Sequence, residues 1–471
     1  MNGGSLFSRS FGIGSSGNID INASESIKIN GFLAENTQLS SAIGTVSFSP
    51  LLTGRSGTIT VSTPMLSLQS GGVISATTFG NAAAGNININ ADRIEVIGRN
   101  PNLFDSTISS SSLGKGNAGS IIVNTRSLLL KDQGSIDTSS SNNGDAGSII
   151  INARESIEVG KQSAIASSVA PNSPQLIAAL NLPLRPRGNA GSVIINAPIV
   201  SVRDQARIAV SNNGLGNSGK VSITANEILL DQKSRITAAT VLGEGGNVIL
   251  SSKTLILRQG SRITSTAGGA GNGGNITIDS PIIVGLENSD IIANASRGRG
   301  GNIAITTQGI LGLQYRTVLT PENDISASSE FGISGNVQVN TIGINPANSL
   351  NALPVDIVDS SRQIADRCGA SRNSSFIATG RGGIPKNPSQ KRGSDRTWHD
   401  LRSPSIQVNE TVMTHNTRQP IVEATALQMD KSGTIVLIAP NPVPEGLSNT
   451  IGLPTAATCG ESVSSAGPSD Y

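Results

Sequence analysis

Aromatic side chains make up 2% of this 471-residue sequence, with one Trp and two Tyr among them. A core organised around large rings is therefore excluded. Charged residues are only 14% and the net charge is +2. No basic stripe with interleaved aromatics occurs, so nucleic acid is not an expected partner. The same low charge separates the chain from disordered sequences, which carry more charge and fewer β-branched residues. Cysteine occurs twice, at Cys368 and Cys459. Two cysteines make neither a disulfide framework nor a zinc spacing; they either form one bridge in an oxidising compartment or stay as two free thiols. No apolar run reaches the roughly 18 residues of a membrane-spanning helix. The opening "MNGGSLFSRSFGIGSSGNIDINA" has no charged stretch followed by an apolar one, and it enters a repeat already under way. The chain therefore reads as a segment of a longer product.

What the sequence has is glycine, 54 residues of it, placed periodically. A Gly, one small or polar residue and an alternating apolar stretch recur at Gly17, Gly57, Gly85, Gly119, Gly147, Gly191, Gly219, Gly246, Gly274, Gly301 and Gly335. The intervals are 40, 28, 34, 28, 44, 28, 27, 28, 27 and 34 residues, a unit of about 28 residues with four insertions. Counting the Gly as the first position, positions 3, 5, 10, 12 and 18 are apolar: Ile121, Val123, Leu128, Leu130 and Ile136 in one unit, and Val193, Ile195, Val200, Val202 and Ile208 in another.

Pairs two residues apart place their side chains on one face of a strand. Each unit then supplies three short strands closed by turns. One such coil cannot bury its apolar face, but stacked coils can. The expected fold is all-β, a right-handed single-stranded parallel β-helix of about 10–12 coils over residues 1–345, with a rod length of roughly 50–60 Å at about 4.8 Å per strand. The insertions are expected to project near Phe32–Leu51, Asn100–Thr107, Pro171–Arg187 and Tyr315–Asn323. Residues 346–395 read as an exit segment, with a short helix over Ser361–Cys368, and a basic Gly/Pro-rich linker. Residues 396–471 read as a small end segment in which "PIVEATALQMDKSGTIVLIAP" forms a hairpin turning at Asp430–Gly433, suited to covering an open sheet edge.

The most repetitive polar feature is Gly-Asn: Gly85-Asn86, Gly246-Asn247, Gly274-Asn275, Gly301-Asn302 and Gly335-Asn336, with Asn18 in an earlier unit. The structural expectation is a bend in which Gly takes a positive φ and Asn stacks into amide ladders; a ligand groove is the functional alternative. Asp132, Asp204 and Asp231 follow the second strand of their units and could form an acidic column, but "Val-Gly-Lys" and "Arg-Gln" stand there in neighbouring units, favouring turns. Polysaccharide lyases and hydrolases use this architecture, and they need paired carboxylates and aromatic platforms. Trp398, His399 and His415 lie outside the repeat and Tyr315 and Tyr471 are the only tyrosines, so neither catalytic residues nor a metal or other cofactor is expected.

The units "GNAGSIIVNTRSLLLKDQGSIDTSSSNNGDAGSIIINA" and "GNGGNITIDS", with the tail "SSFIATGRGGIPKNP", "WHDLR" and "IVEATALQMDKSGTIVLIAP", resemble the filamentous-haemagglutinin-like exoproteins of two-partner secretion, especially the cyanobacterial type. The resemblance covers nearly the whole chain. It implies export through a dedicated outer-membrane barrel transporter, folding at the cell surface, and adhesion to host cells, neighbouring cells or matrix glycans and proteins. It also implies a second late cysteine, which Cys459 matches, and hence a terminal bridge with Cys368. The amino-terminal secretion domain of that family has no counterpart here. The functional expectation is a secreted or surface-attached adhesin without catalysis; the alternatives are a glycan-cleaving enzyme and a self-associating sheath or matrix component.

Overall fold

Alternation along each unit and its recurrence between units fix which strands can stack. The computed structural model describes residues 3–33, 36–49, 54–101 and 104–342, together with strands Ala426–Met429 and Ile435–Ile438. The chain divides into two units, Met1–Asp359 and Ser360–Tyr471. The first is a parallel β-helix. Its first-strand rungs begin at Ile19, Ile59, Ile87, Ile121, Ile149, Ser192, Lys220, Asn247, Ile276, Ile303 and Val337, eleven among the described residues. At about 4.8 Å each they span roughly 50 Å.

The register follows the repeat residue for residue. Val61, Ile89, Val123, Ile151, Ile195, Ile223, Leu250, Ile278 and Ile305 pair in succession, and each is at most 1% exposed. A second column of isoleucines, Ile74, Ile108, Ile136, Ile165, Ile208, Ile236, Ile263 and Ile291, closes the core from the opposite wall with 0% exposure. Branched aliphatics fill so narrow an interior without rings, which accounts for the scarcity of aromatics.

Three details refine the expectation. The first two strands of a unit are fused in four rungs into one bent strand of 11 residues, as in Ile121–Lys131 and Ile149–Val159; the third strands form a separate twelve-stranded sheet. Stacking begins at Ser5–Ser10, which pairs with Ala42–Ser47, before Gly17. Ala42–Ser47 itself lies in the segment expected to project at Phe32–Leu51. It is a rung with Ile43 in the core, preceded by the antiparallel pair Phe32–Leu33 with Asn36–Ser40.

The insertion at Pro171–Arg187 carries a helix, Pro174–Leu180, too short to register as a periodic pattern. Pro174 opens it, where a missing N–H costs nothing. Buried Asn172 donates to the Ser141 and Pro183 carbonyls at 2.7 and 2.9 Å, tying the insertion to the rod. In the second unit, Ala426–Met429 pairs antiparallel with Ile435–Ile438, the expected hairpin. The expected helix at Ser361–Cys368, the linker, Cys368, Cys459, Trp398, His399 and His415 lie outside the described residues. Among the described residues no helix is long and apolar enough to cross a membrane.

Candidate functional site

The Gly corner is built by close approach of backbones, not by a left-handed bend. None of Gly85, Gly246, Gly274, Gly301 and Gly335 has a positive φ. A Cβ on each would lie 1.7–1.9 Å from the carbonyl oxygen of the corner glycine one rung below, so no side chain fits between rungs. Buried hydroxyls of the third strand bond corner carbonyls of this kind: Ser110 Oγ donates to Gly85 O at 2.9 Å, and Thr138 Oγ1 and Ser167 Oγ donate to Gly147 O at 2.7 and 2.8 Å. The expectation of positive φ at these glycines is therefore corrected. Positive φ falls instead on the turn after the second strand, at Asp132-Gln133 (53° and 71°), Lys161-Gln162, Asp204-Gln205, Gln232-Lys233 and Glu287-Asn288, two successive left-handed residues as in a type I′ turn.

The exposed asparagines form ladders of a kind other than amide on amide. Asn86 Oδ1 accepts from the Ser120 N–H at 2.9 Å, Asn247 Oδ1 from Asn275 N–H at 3.0 Å, Asn275 Oδ1 from Asn302 N–H at 3.1 Å, and Asn302 Oδ1 from Asn336 N–H at 3.3 Å. Each side chain thus caps the main chain of the next rung. A parallel ladder two residues before the corner glycine, at Asn117, Asp145, Asn189, Asn217, Glu244 and Asn272, works the same way. Between them lies a shallow groove of about 590 Å³ whose lining includes Asn247, Asn275, Asn302 and Asn336.

A true amide ladder stands at a position the repeat count did not single out. Asn124 Nδ2 donates to Asn90 Oδ1 at 2.9 Å, Asn152 Nδ2 to Asn124 Oδ1 at 3.0 Å, and Asn196 Nδ2 to Asn152 Oδ1 at 2.9 Å. It borders a groove of about 1000 Å³ along the bend between the first and second strands. The signal was the recurring "INA" and "VNT" at position 6 of the unit, masked by the more frequent Gly-Asn.

Aromatic stacking was also missed. Phe11, Phe48 and Phe79 stack on successive rungs, with ring centroids 4.9 and 4.8 Å apart and planes within 7°, and all three are exposed. Phe11 and Phe79 each stand six residues before a repeat glycine, a spacing that two occurrences could not distinguish from chance.

The acidic candidates are dispersed. Lys161 lies between Asp132 and Asp204 in the turn column and pairs with Asp132 at 3.1 Å. Asp231 falls one residue earlier, outside that column, 3.5 Å from Arg258. Among the described residues no group of three His, Cys, Asp or Glu could hold a metal. A close pair of carboxylates does occur, Asp290 and Asp324, on adjacent rungs and 1% and 0% exposed. Burial pushes the Asp290 carboxyl above the ordinary range against the pull of the Asp324 N–H and of Arg262, 3.0 Å away. Burial acts on Asp324 too, but is outweighed by the Thr320 N–H and the Arg316 guanidinium, which hold its carboxyl below that range. Both carboxylates are buried, and Asp324 ties residues 316–323 to the rod through Arg316 and Thr320.

A carboxylate held below its ordinary pKa stabilises the fold above the ordinary range and loses that contribution as pH falls through the lowered value. Removing its cation reverses the arrangement. Arg316→Ala is expected to make the 316–323 insertion susceptible to protease at neutral pH, with partial recovery in acid where Asp324 is protonated; limited proteolysis against pH measures it.

Comparison with protein-family models, curated proteins and solved structures yields no match.

Proposed function

We propose that the protein is a secreted or surface-attached, haemagglutinin-like adhesin whose β-helical rod acts by many weak contacts without catalysis. The observation that carries this reading is repetition on the outside: the same amide or phenyl group returns on successive rungs, at Asn247, Asn275 and Asn302, at Asn90, Asn124, Asn152 and Asn196, and at Phe11, Phe48 and Phe79. Equally spaced identical groups engage a repeating partner several at a time, and avidity multiplies weak single contacts by orders of magnitude. The partners proposed are glycans or proteins of host cells, neighbouring cells or matrix. Export of the full-length form is assigned to an outer-membrane two-partner-secretion transporter, on the resemblance of the repeats and tail to that family.

Glycan cleavage is the weaker reading, because the paired carboxylates Asp290 and Asp324 are closed to substrate. Release of reducing ends or unsaturated sugars from a polysaccharide panel would favour it. Concentration-dependent light scattering of the purified chain would favour the sheath reading instead.

Because the repeated groups are neutral, attachment is expected to persist up to about 1 M salt, where the Debye length is about 3 Å. Binding of the purified protein to cells, glycan surfaces and matrix across that range is the measurement. No attachment at micromolar concentration, or loss of it with salt, would count against the proposal.

A further inference from the structure

The groove beside the amide ladder is both concave and periodic, and it is the larger of the two grooves described above. Its lining runs over successive rungs from Asn22 to Asn226. The floor is made of small buried residues, Ala91, Thr125, Ala153 and Ala197, so a flat ring can approach the backbone closely. One bank is the ladder of Asn90, Asn124, Asn152 and Asn196. Each interior amide spends one N–H and one oxygen lone pair on its neighbours and keeps a second donor and a second acceptor. Donation runs in one direction along the rod, so successive amides polarise one another.

The opposite bank is charged but self-neutralised. Its charged members, Arg154 and Asp92, pair with each other across two rungs at 2.8 Å. Neither a polyanion nor a polycation finds unpaired charge there. What the groove offers is a row of hydrogen-bonding sites at the rung spacing of about 4.8 Å.

Periodicity selects among neutral polymers. An extended peptide advances about 3.3 Å per residue and falls out of step with the rungs within two or three residues. A β-1,4-linked pyranoside chain advances close to one rung per sugar, presents hydroxyls at its edges and has flat ring faces. We propose that this groove binds a linear, neutral β-1,4-linked glycan laid along the rod axis, one sugar per rung, with hydroxyls on the amide ladder and ring faces over the alanine floor. The proposal rests on the adhesin reading and names one ligand class and its site.

The test is isothermal titration of the 471-residue chain with cellotriose, cellohexaose and, as an isomer with a different advance per sugar, maltohexaose. Each added rung adds contacts, so the Kd for cellohexaose is expected to be at least ~10-fold lower than for cellotriose and well below that for maltohexaose. The double variant Asn124→Ala/Asn152→Ala removes the middle of the ladder at outward-facing positions. It should lose about 10-fold or more in cellohexaose affinity with an unchanged circular dichroism spectrum. Should that variant unfold, cellohexaose is still expected to displace the wild-type protein from a cellulose surface, and failure to do so would overturn the assignment.

Absence of cellohexaose binding by the wild-type chain, preference for maltohexaose, or undiminished binding by the folded double variant would each overturn the groove assignment as well. Retained attachment to cells in those cases would leave the adhesin reading standing. Loss of cell attachment alongside intact cellohexaose binding would remove that reading and keep the groove.

Discussion

Gly147→Ala is expected to lower the thermal midpoint of the rod by roughly 4–7 °C, while Gly160→Ala leaves it unchanged or raises it slightly. The two glycines lie in the same repeat and neither has a positive φ, so intrinsic backbone preference does not separate them. Surroundings do. A Cβ at Gly147 would sit 1.8 Å from Gly119 O and 2.6 Å from its carbonyl carbon, whereas at Gly160 the nearest atom is 4.0 Å away. Reaching even 3.0 Å at Gly147 means moving one rung from the next by more than an ångström. Bonds on either side, Ala118 N–H to Asp145 O and Ile121 N–H to Ser148 O, both 2.9 Å, would not survive that displacement. Overpacking of about 1–3 kcal/mol and two weakened hydrogen bonds at about 1 kcal/mol each set the scale. Equal midpoints for the two variants in differential scanning calorimetry would show that the corner glycines are not steric requirements.

The contrast also marks what the sequence made legible. Position and identity of the apolar residues were enough to place Val123, Ile151 and Ile195 in one buried column, because a period of two within strands and of about 28 between them admits one stacking register. The reason for glycine was not legible. A turn glycine in sequence suggests φ > 0, but the contact that excludes a Cβ at Gly147 is made with Gly119 on another rung. Asp132-Gln133 and Lys161-Gln162 illustrate the converse: they adopt the left-handed turn without glycine, since Gln133 N–H to Lys161 O and Gln162 N–H to Asp204 O, at 3.0 and 2.9 Å, hold each turn on the next. The ladder at Asn90, Asn124, Asn152 and Asn196 was hidden for a related reason. Outward positions carry no apolar signal, and at that offset Ser62, Thr224 and Ser251 interrupt the amides, so only the stack itself sets them side by side.

Leu250→Ala is expected to cost about 2–5 kcal/mol, and Ile249→Ala within about 1 kcal/mol of nothing. These two residues are adjacent in the chain and nearly equal in size, but strand alternation turns them to opposite faces. Leu250 is 1% exposed between Ile223 and Ile278, whereas Ile249 is 38% exposed between Ser222 and Thr277. The larger loss has a second consequence in a solenoid. Each rung contacts only its neighbours, so stability is a sum of rung and interface contributions, and a cavity in one rung weakens its two interfaces more than the distant ones. Unfolding of Leu250→Ala should therefore broaden or split, with new protease cleavage near residue 250 and protection retained around Ile87–Ile97. A uniform shift of a single sharp transition would mean that the rungs unfold as one cooperative body. Loss of stability on Ile249→Ala as large as on Leu250→Ala would mean that the assigned faces are reversed.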